Sequence, residues 1–79
     1  MDKQRYQEIS QRNKTDKLKL CYEVFCEEKK QIPYQEFVQI FPQWIMQMNI
    51  EAVFRTGNMD MAVEDGLDKI VEFLNKKYE

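Results

Sequence analysis

The chain has 79 residues, of which 43% are apolar and 33% charged, and its formal net charge is −2. This length and composition predict one small globular domain over residues 1–79 and exclude intrinsic disorder. With two glycines, two prolines, no membrane-spanning stretch and no signal-peptide pattern, we expect a cytoplasmic, all-α protein, a small bundle of four to five short helices. A core this small makes oligomerisation or a partner a reasonable source of added stability.

The first helix is predicted over residues 2–12. Only Tyr6 and Ile9 offer apolar side chains for burial there. Short helices with so little to bury are marginal in water. We therefore expect residues 1–14 to form a weakly docked N-terminal helix or arm.

Two further helices are predicted before residue 42. The second covers residues 15–30, with Thr15 as its N-cap. Its apolar side chains recur at helical spacing, at Leu18, Cys21, Tyr22 and Phe25. The third covers residues 33–41 and starts at Pro33, which suits the first helical position. Pro42 is expected to interrupt it, because the proline ring clashes with the preceding turn. The central segment then begins a new helix or continues after a sharp kink.

The central stretch, residues 42–54, is apolar on two sides when it is drawn as a helix. One side carries Trp44, Ile45, Met48 and Ala52, and the opposite side carries Met46, Ile50, Val53 and Phe54. Such a helix lies in the middle of a core, or it has one core face and one partner face. We favour a partner face, with Trp44, Ile45 and Met48 partly exposed as the partner-binding site. Gly57 is expected to end this segment in left-handed geometry.

Glutamines recur at every fourth position across the same region, at Gln31, Gln35, Gln39, Gln43 and Gln47. On one continuous helix they would form a slowly drifting polar stripe. We interpret the stripe as a solvent-exposed face. A ladder of side-chain amides that binds a partner is the less favoured alternative.

The last helix has the clearest pattern in the chain. Its apolar residues fall within an arc of about 120°, at Met59, Val63, Leu67, Ile70, Val71, Leu74 and Tyr78. Asn58 or Asp60 is expected to cap its start. Gly66 lies at the edge of the arc, where the close approach of another helix would explain a glycine.

Catalytic and metal-binding patterns are nearly absent from the sequence. The chain has no histidine, the commonest general base, and its two glycines cannot form a phosphate-binding loop. Cys21 and Cys26 lie about 140° apart around a helix, and no further cysteine or histidine completes a metal site. We therefore predict a non-enzymatic protein with no metal and no cofactor, in which both cysteines act as small buried hydrophobes.

A protein–protein interaction module is the function that the pattern favours, with self-association as its simplest form. The two-sided central segment supports it, as do four methionines, Met46, Met48, Met59 and Met61, whose flexible side chains suit partner surfaces and irregular cores alike. Trp44 is the expected anchor, because tryptophan is enriched among the residues that dominate binding energy.

A helix-turn-helix-like nucleic-acid binder is the alternative. The helices predicted at residues 15–30, 33–41 and 43–56 match its outline. Its recognition segment carries a single basic residue, Arg55, although duplex binding depends on several phosphate contacts. The basic N-terminal arm, residues 3–19, would have to supply them. Residues 1–19 hold six basic and three acidic groups, a charge of +3, against −5 on the rest of the chain.

Several short motifs resemble a family of short uncharacterised bacterial proteins that are often encoded beside ADP-ribosyltransferase-like proteins. They are Cys21-Tyr22-Glu23, Tyr34-Gln35-Glu36-Phe37, Arg55-Thr56-Gly57 and Val63-Glu64-Asp65, followed by a closing helix. The similarity covers about residues 17–75, and this chain has a longer, more polar N-terminal extension. The resemblance implies a helical accessory or partner protein and supplies no catalytic residues.

Overall fold

The structure is a computed structural model that describes residues 1–48 and 54–79, apart from the side chains of Met46 and Met48. The described residues contain one helical turn at residues 54–56 and four longer helices, α1 (Lys3–Arg12), α2 (Lys17–Glu28), α3 (Tyr34–Met48) and α4 (Met59–Lys77). They include no strand, which confirms the predicted all-α class. In these parts of the chain, none of the helices combines the length and apolar character that crossing a membrane requires.

Capping side chains fix where α2 and α4 begin. Asp16, not Thr15, caps α2, and its carboxylate accepts a hydrogen bond from the Lys19 backbone N–H at 3.0 Å. An aspartate suits this position because its negative charge also meets the positive end of the helix dipole. Asn58 caps α4 as predicted, accepting from two backbone N–H groups of the first turn. Gly57, just before it, has a φ of 64°, the predicted left-handed geometry.

Helix α3 continues through Pro42, so the alternative in which a new helix begins after this proline is wrong. A proline inside a helix costs about 3 kcal/mol, because it removes one N–H donor and crowds the preceding turn. Burial on both sides of the proline offsets that cost. Phe37 and Ile45 are each 1% exposed, and burying one such side chain contributes about 1.5–3 kcal/mol. The rings of Phe37 and Phe41 also stack, with their centroids 4.5 Å apart.

The main core lies where α1, α2 and α4 meet. Its buried residues are Tyr6, Ile9, Leu20, Val24, Leu74 and Tyr78. The Tyr6 ring stacks on Tyr78 at 4.9 Å, and its hydroxyl donates to the Asn75 side-chain oxygen at 2.6 Å. Ile9 is completely buried. Both apolar residues of α1, Tyr6 and Ile9, are thus part of this core.

A second cluster, made of aromatic rings, joins α2 to α3. The Tyr22 ring packs edge-on against Tyr34 at 5.0 Å and against Phe37 at 5.3 Å. The Tyr22 hydroxyl donates to the Ile32 carbonyl at 2.7 Å, which holds the connection between the two helices. Helix α3 packs on α4 as well as on α2. One long side of α3 is therefore committed to the interior.

The buried side of α4 agrees only in part with the predicted arc. Leu74 and Tyr78 are buried as expected, but Met59 is 54% exposed. Ala62 and Gly66 are buried instead. Small residues at these positions permit the close approach of a neighbouring helix, as the sequence suggested for Gly66, and α4 packs against both α2 and α3.

Candidate protein-binding surface

Four large apolar side chains from one stretch of the chain are exposed, and we call this set the apolar surface: Trp44, Phe54, Met59 and Met61. They are 46%, 83%, 54% and 54% exposed, respectively. All four come from one stretch of the chain, the second half of α3, the helical turn at residues 54–56 and the first turn of α4. Five residues lie between Met48, at the end of α3, and Phe54, so the Cα atoms of Met48 and Phe54 can be at most about 22 Å apart.

The structure separates the three residues predicted to bind a partner. Trp44 is exposed, as expected of an interface anchor. Ile45 is 1% exposed, so the prediction that it stays partly exposed is wrong. Neighbouring helical residues point about 100° apart, and Ile45 follows Phe41 by one turn on the interior side of α3. The side chain of Met48 lies outside the described residues.

The other three members of the apolar surface were not predicted as binding residues. Met59 was assigned to the apolar arc of the last helix, and Phe54 to the side of the central segment opposite Trp44. The exposure of Met61 could have been predicted from its position, because it lies roughly opposite the apolar arc of α4. A large apolar residue on the polar side of an amphipathic helix is expected to be exposed.

Helix α3, which carries Trp44, has far fewer charged residues than the rest of the protein. Glu36, in the first turn, is the only charged residue of the helix. On α3, the exposed side chains nearest to Trp44 in sequence are the neutral amides of Gln43 and Gln47. A partner that covers Trp44 would therefore not need to desolvate a charge on α3, which is the most expensive part of burying polar surface.

The two cysteines differ in accessibility. Cys21 is buried, and its burial raises the pKa of the thiol from the ordinary 9.0 to about 12. Cys26 is half-buried. Among the described residues, no group of three or more histidine, cysteine, aspartate or glutamate side chains is arranged to hold a metal ion. Neither thiol is therefore part of a described metal cluster.

We expect one thiol per folded chain to react with an alkylating reagent at about pH 8, because the thiolate is the reactive form and Cys21 is held neutral. Peptide mass spectrometry should locate the label at Cys26, and denaturant should release the second thiol.

The raised pKa of Cys21 favours the folded state at a pH where the thiol is protonated in both the folded and the unfolded chain. That contribution should decline as the pH rises from about 9 towards 12. Early labelling of Cys21 would contradict the assignment.

The basic N-terminal arm is engaged with acidic groups of the same molecule. Arg5 donates through its Nε to Glu27 at 2.9 Å, and Arg12 pairs with Glu23 at 3.0 Å. Lys17 pairs with Asp68 of α4. Three of the six basic groups in residues 3–19 thus already contact carboxylates, which leaves less of the arm's charge for phosphates.

We therefore expect no sequence-specific binding of duplex DNA at physiological salt. Each phosphate contact contributes through the release of counterions, and few basic groups remain to make such contacts. Gel-shift titrations over a range of salt concentrations test this. A sequence-selective, salt-dependent shift at sub-micromolar protein would contradict it and support the helix-turn-helix alternative.

Comparison with protein-family models, with curated proteins and with solved structures finds no match for this chain. The resemblance carried by its short motifs therefore stays a prediction.

Proposed function

We propose that this chain is a non-enzymatic protein–protein interaction module that binds another protein, or a second copy of itself, through the apolar surface. The exposure of Trp44, Phe54, Met59 and Met61 carries the proposal. Single exposed apolar residues are common on soluble proteins, whereas a concentration of large ones marks an interaction site. Here four come from one stretch of 18 residues, from position 44 to position 61.

The chemistry of these side chains suits protein binding. Aromatic residues and methionine are enriched at interfaces, where they bury much area without desolvating a charge. Met59 and Met61 have unbranched side chains that adjust to an irregular partner. The apolar surface therefore combines adaptable contacts with aromatic anchors.

The position of Trp44 on a well-packed helix also favours binding. Its helix is held in the interior by Phe37 and Ile45, which are each 1% exposed. A side chain presented by a fixed helix loses less conformational freedom on binding than one on a mobile loop. Trp44 is thus placed as the anchor of the surface. Phe54, ten residues further along the chain, is its most exposed ring.

The motif resemblance, which implies a helical accessory or partner protein, agrees with this role. The proposal also places the protein in the cytoplasm. Free thiols persist in that reducing compartment, and both Cys21 and Cys26 are free. A role as an accessory protein requires no catalytic group on the chain itself.

Site-specific photo-cross-linking in the native host tests the proposal. Phe54 is replaced by the photoreactive residue benzoylphenylalanine, which keeps an aromatic ring at that position. The matched control carries the same replacement at Phe73, which is 63% exposed but lies about 18 Å along α4 from Met61. Irradiation should give a discrete product from position 54 and none from position 73. No product from position 54, or identical products from both positions, would overturn the proposal.

A further inference from the structure

The exposed side of α3 presents two parallel rows of side chains. One row consists of amides, with Gln35, Gln39, Gln43 and Gln47 all exposed. The adjacent row begins at Glu36, which is exposed, and continues through Ile40, which is half-buried, to Trp44, which is exposed. Both rows stay on one side of the molecule because α3 is continuous through Pro42. Rows of residues spaced by four are the ridges with which helices pack against each other.

After Glu36, this side of α3 is neutral in a highly charged protein. The whole chain has 26 charged residues among 79, yet the sequence has none between Glu36 and Glu51. Since the helix has no net field of either sign along this row, it offers no electrostatic attraction to a charged partner. Its best partner is another neutral surface.

A second copy of the chain supplies such a surface. In a contact with two-fold symmetry, side chains near the axis meet the same side chains of the other copy. A lysine or glutamate would repel itself there. The amide of a glutamine has both donors and an acceptor, so it can pair with its own copy. Ile40 and Trp44 add the apolar area that an amide row lacks.

We infer that two copies of this chain associate by packing α3 against α3 about a two-fold axis near Gln43, which covers both Trp44 side chains. The inference rests on the proposed function, since it assigns the partner of Trp44, the anchor of the apolar surface, to a second copy. The contact consists of Gln39, Gln43 and Gln47 in one row and Ile40 and Trp44 in the other. The ridge-in-groove geometry crosses the two helices at about 50°.

Opposite charges at position 43 test the symmetry of the contact. Sedimentation velocity is measured for Gln43→Lys, for Gln43→Glu and for an equimolar mixture of the two. Gln43 is exposed, so both variants should keep the wild-type helical signal. Each variant alone should dimerise at least about tenfold more weakly than the wild type, because like charges then meet at the axis, and the mixture should recover dimers. The matched controls, Gln11→Lys and Gln11→Glu on α1, should dimerise like the wild type.

A wild type that stays monomeric at every concentration would overturn the inference. So would charge variants that dimerise as the wild type does, or a mixture that fails to recover dimers. The photo-cross-linking product separates this failure from that of the proposed function. A product containing a different protein leaves the interaction module standing with another partner. The absence of any product from position 54 removes the proposed function, whereas sedimentation of the position 43 variants decides the α3–α3 contact by itself.

Discussion

Replacing Phe37 with alanine is expected to remove a large part of the folding free energy of the domain. Phe37 is 1% exposed, and its ring centroid lies 5.3 Å from Tyr22, 5.7 Å from Phe25 and 4.5 Å from Phe41. Truncating a buried phenylalanine costs about 3–5 kcal/mol, because the lost transfer energy adds to the cost of the cavity. Small domains are stable by only about 5–15 kcal/mol in total.

Urea unfolding followed by circular dichroism measures this loss. Phe73→Ala is the matched control, because it makes the same substitution on a side chain that is 63% exposed. The control should change the free energy of unfolding by no more than about 0.5 kcal/mol. Equal losses in the two variants would show that the ring cluster between α2 and α3 does not stabilise the fold as described.

Replacing Ile9 with alanine is expected to cost about 2–5 kcal/mol, which is the range for truncating a large buried aliphatic side chain. Ile9 is completely buried in the core shared with Leu20, Val24 and Leu74. The loss should appear in the global free energy of unfolding, because this side chain ties α1 to both α2 and α4. Hydrogen exchange should show the amides of α1 losing protection first.

Gln7→Ala provides the control on the same helix, because Gln7 is exposed. It should leave the free energy of unfolding nearly unchanged. A loss at Ile9 as small as that at Gln7 would show that α1 is a weakly attached arm, as its low apolar content first suggested.

The all-α class and the last helix could be predicted because they depend on local patterns. In α4 the residues that repeat every three or four positions include Leu74 and Tyr78, and both are buried. The cap at Asn58 and the left-handed Gly57 follow from the preferences of single residues. Such features need no information about neighbouring helices, so one sequence suffices for them.

The behaviour of Pro42 could not be predicted from local rules. The proline preference to end a helix is worth about 3 kcal/mol, which is comparable with the burial of one or two large side chains. Phe37 and Ile45 supply that burial only once α3 is placed against its neighbours. Tertiary packing therefore decides whether the helix continues through Pro42. The local sequence pattern around Pro42 carries no information about that packing.

The choice between the sides of the central segment was undetermined for the same reason. Trp44 and Ile45 are adjacent in sequence and both apolar, so periodicity could not tell which one faces the interior. The stacked rings of Phe37 and Phe41 lie on the interior side of α3. Ile45 follows Phe41 by one turn on that side and is buried. Trp44 is left exposed at the edge of the neutral row of glutamines.

The replacement Trp44→Glu, examined by sedimentation and thermal melting, tests most directly whether Trp44 belongs to a binding surface or to the core. Trp44 is 46% exposed, so a glutamate at this position remains solvated in the free protein and becomes buried without a partner only on assembly. We predict that the variant keeps the wild-type helical signal and nearly the same melting temperature, but no longer forms the assembled species. A variant that unfolds at every concentration, or one that assembles as strongly as the wild type, would contradict the account.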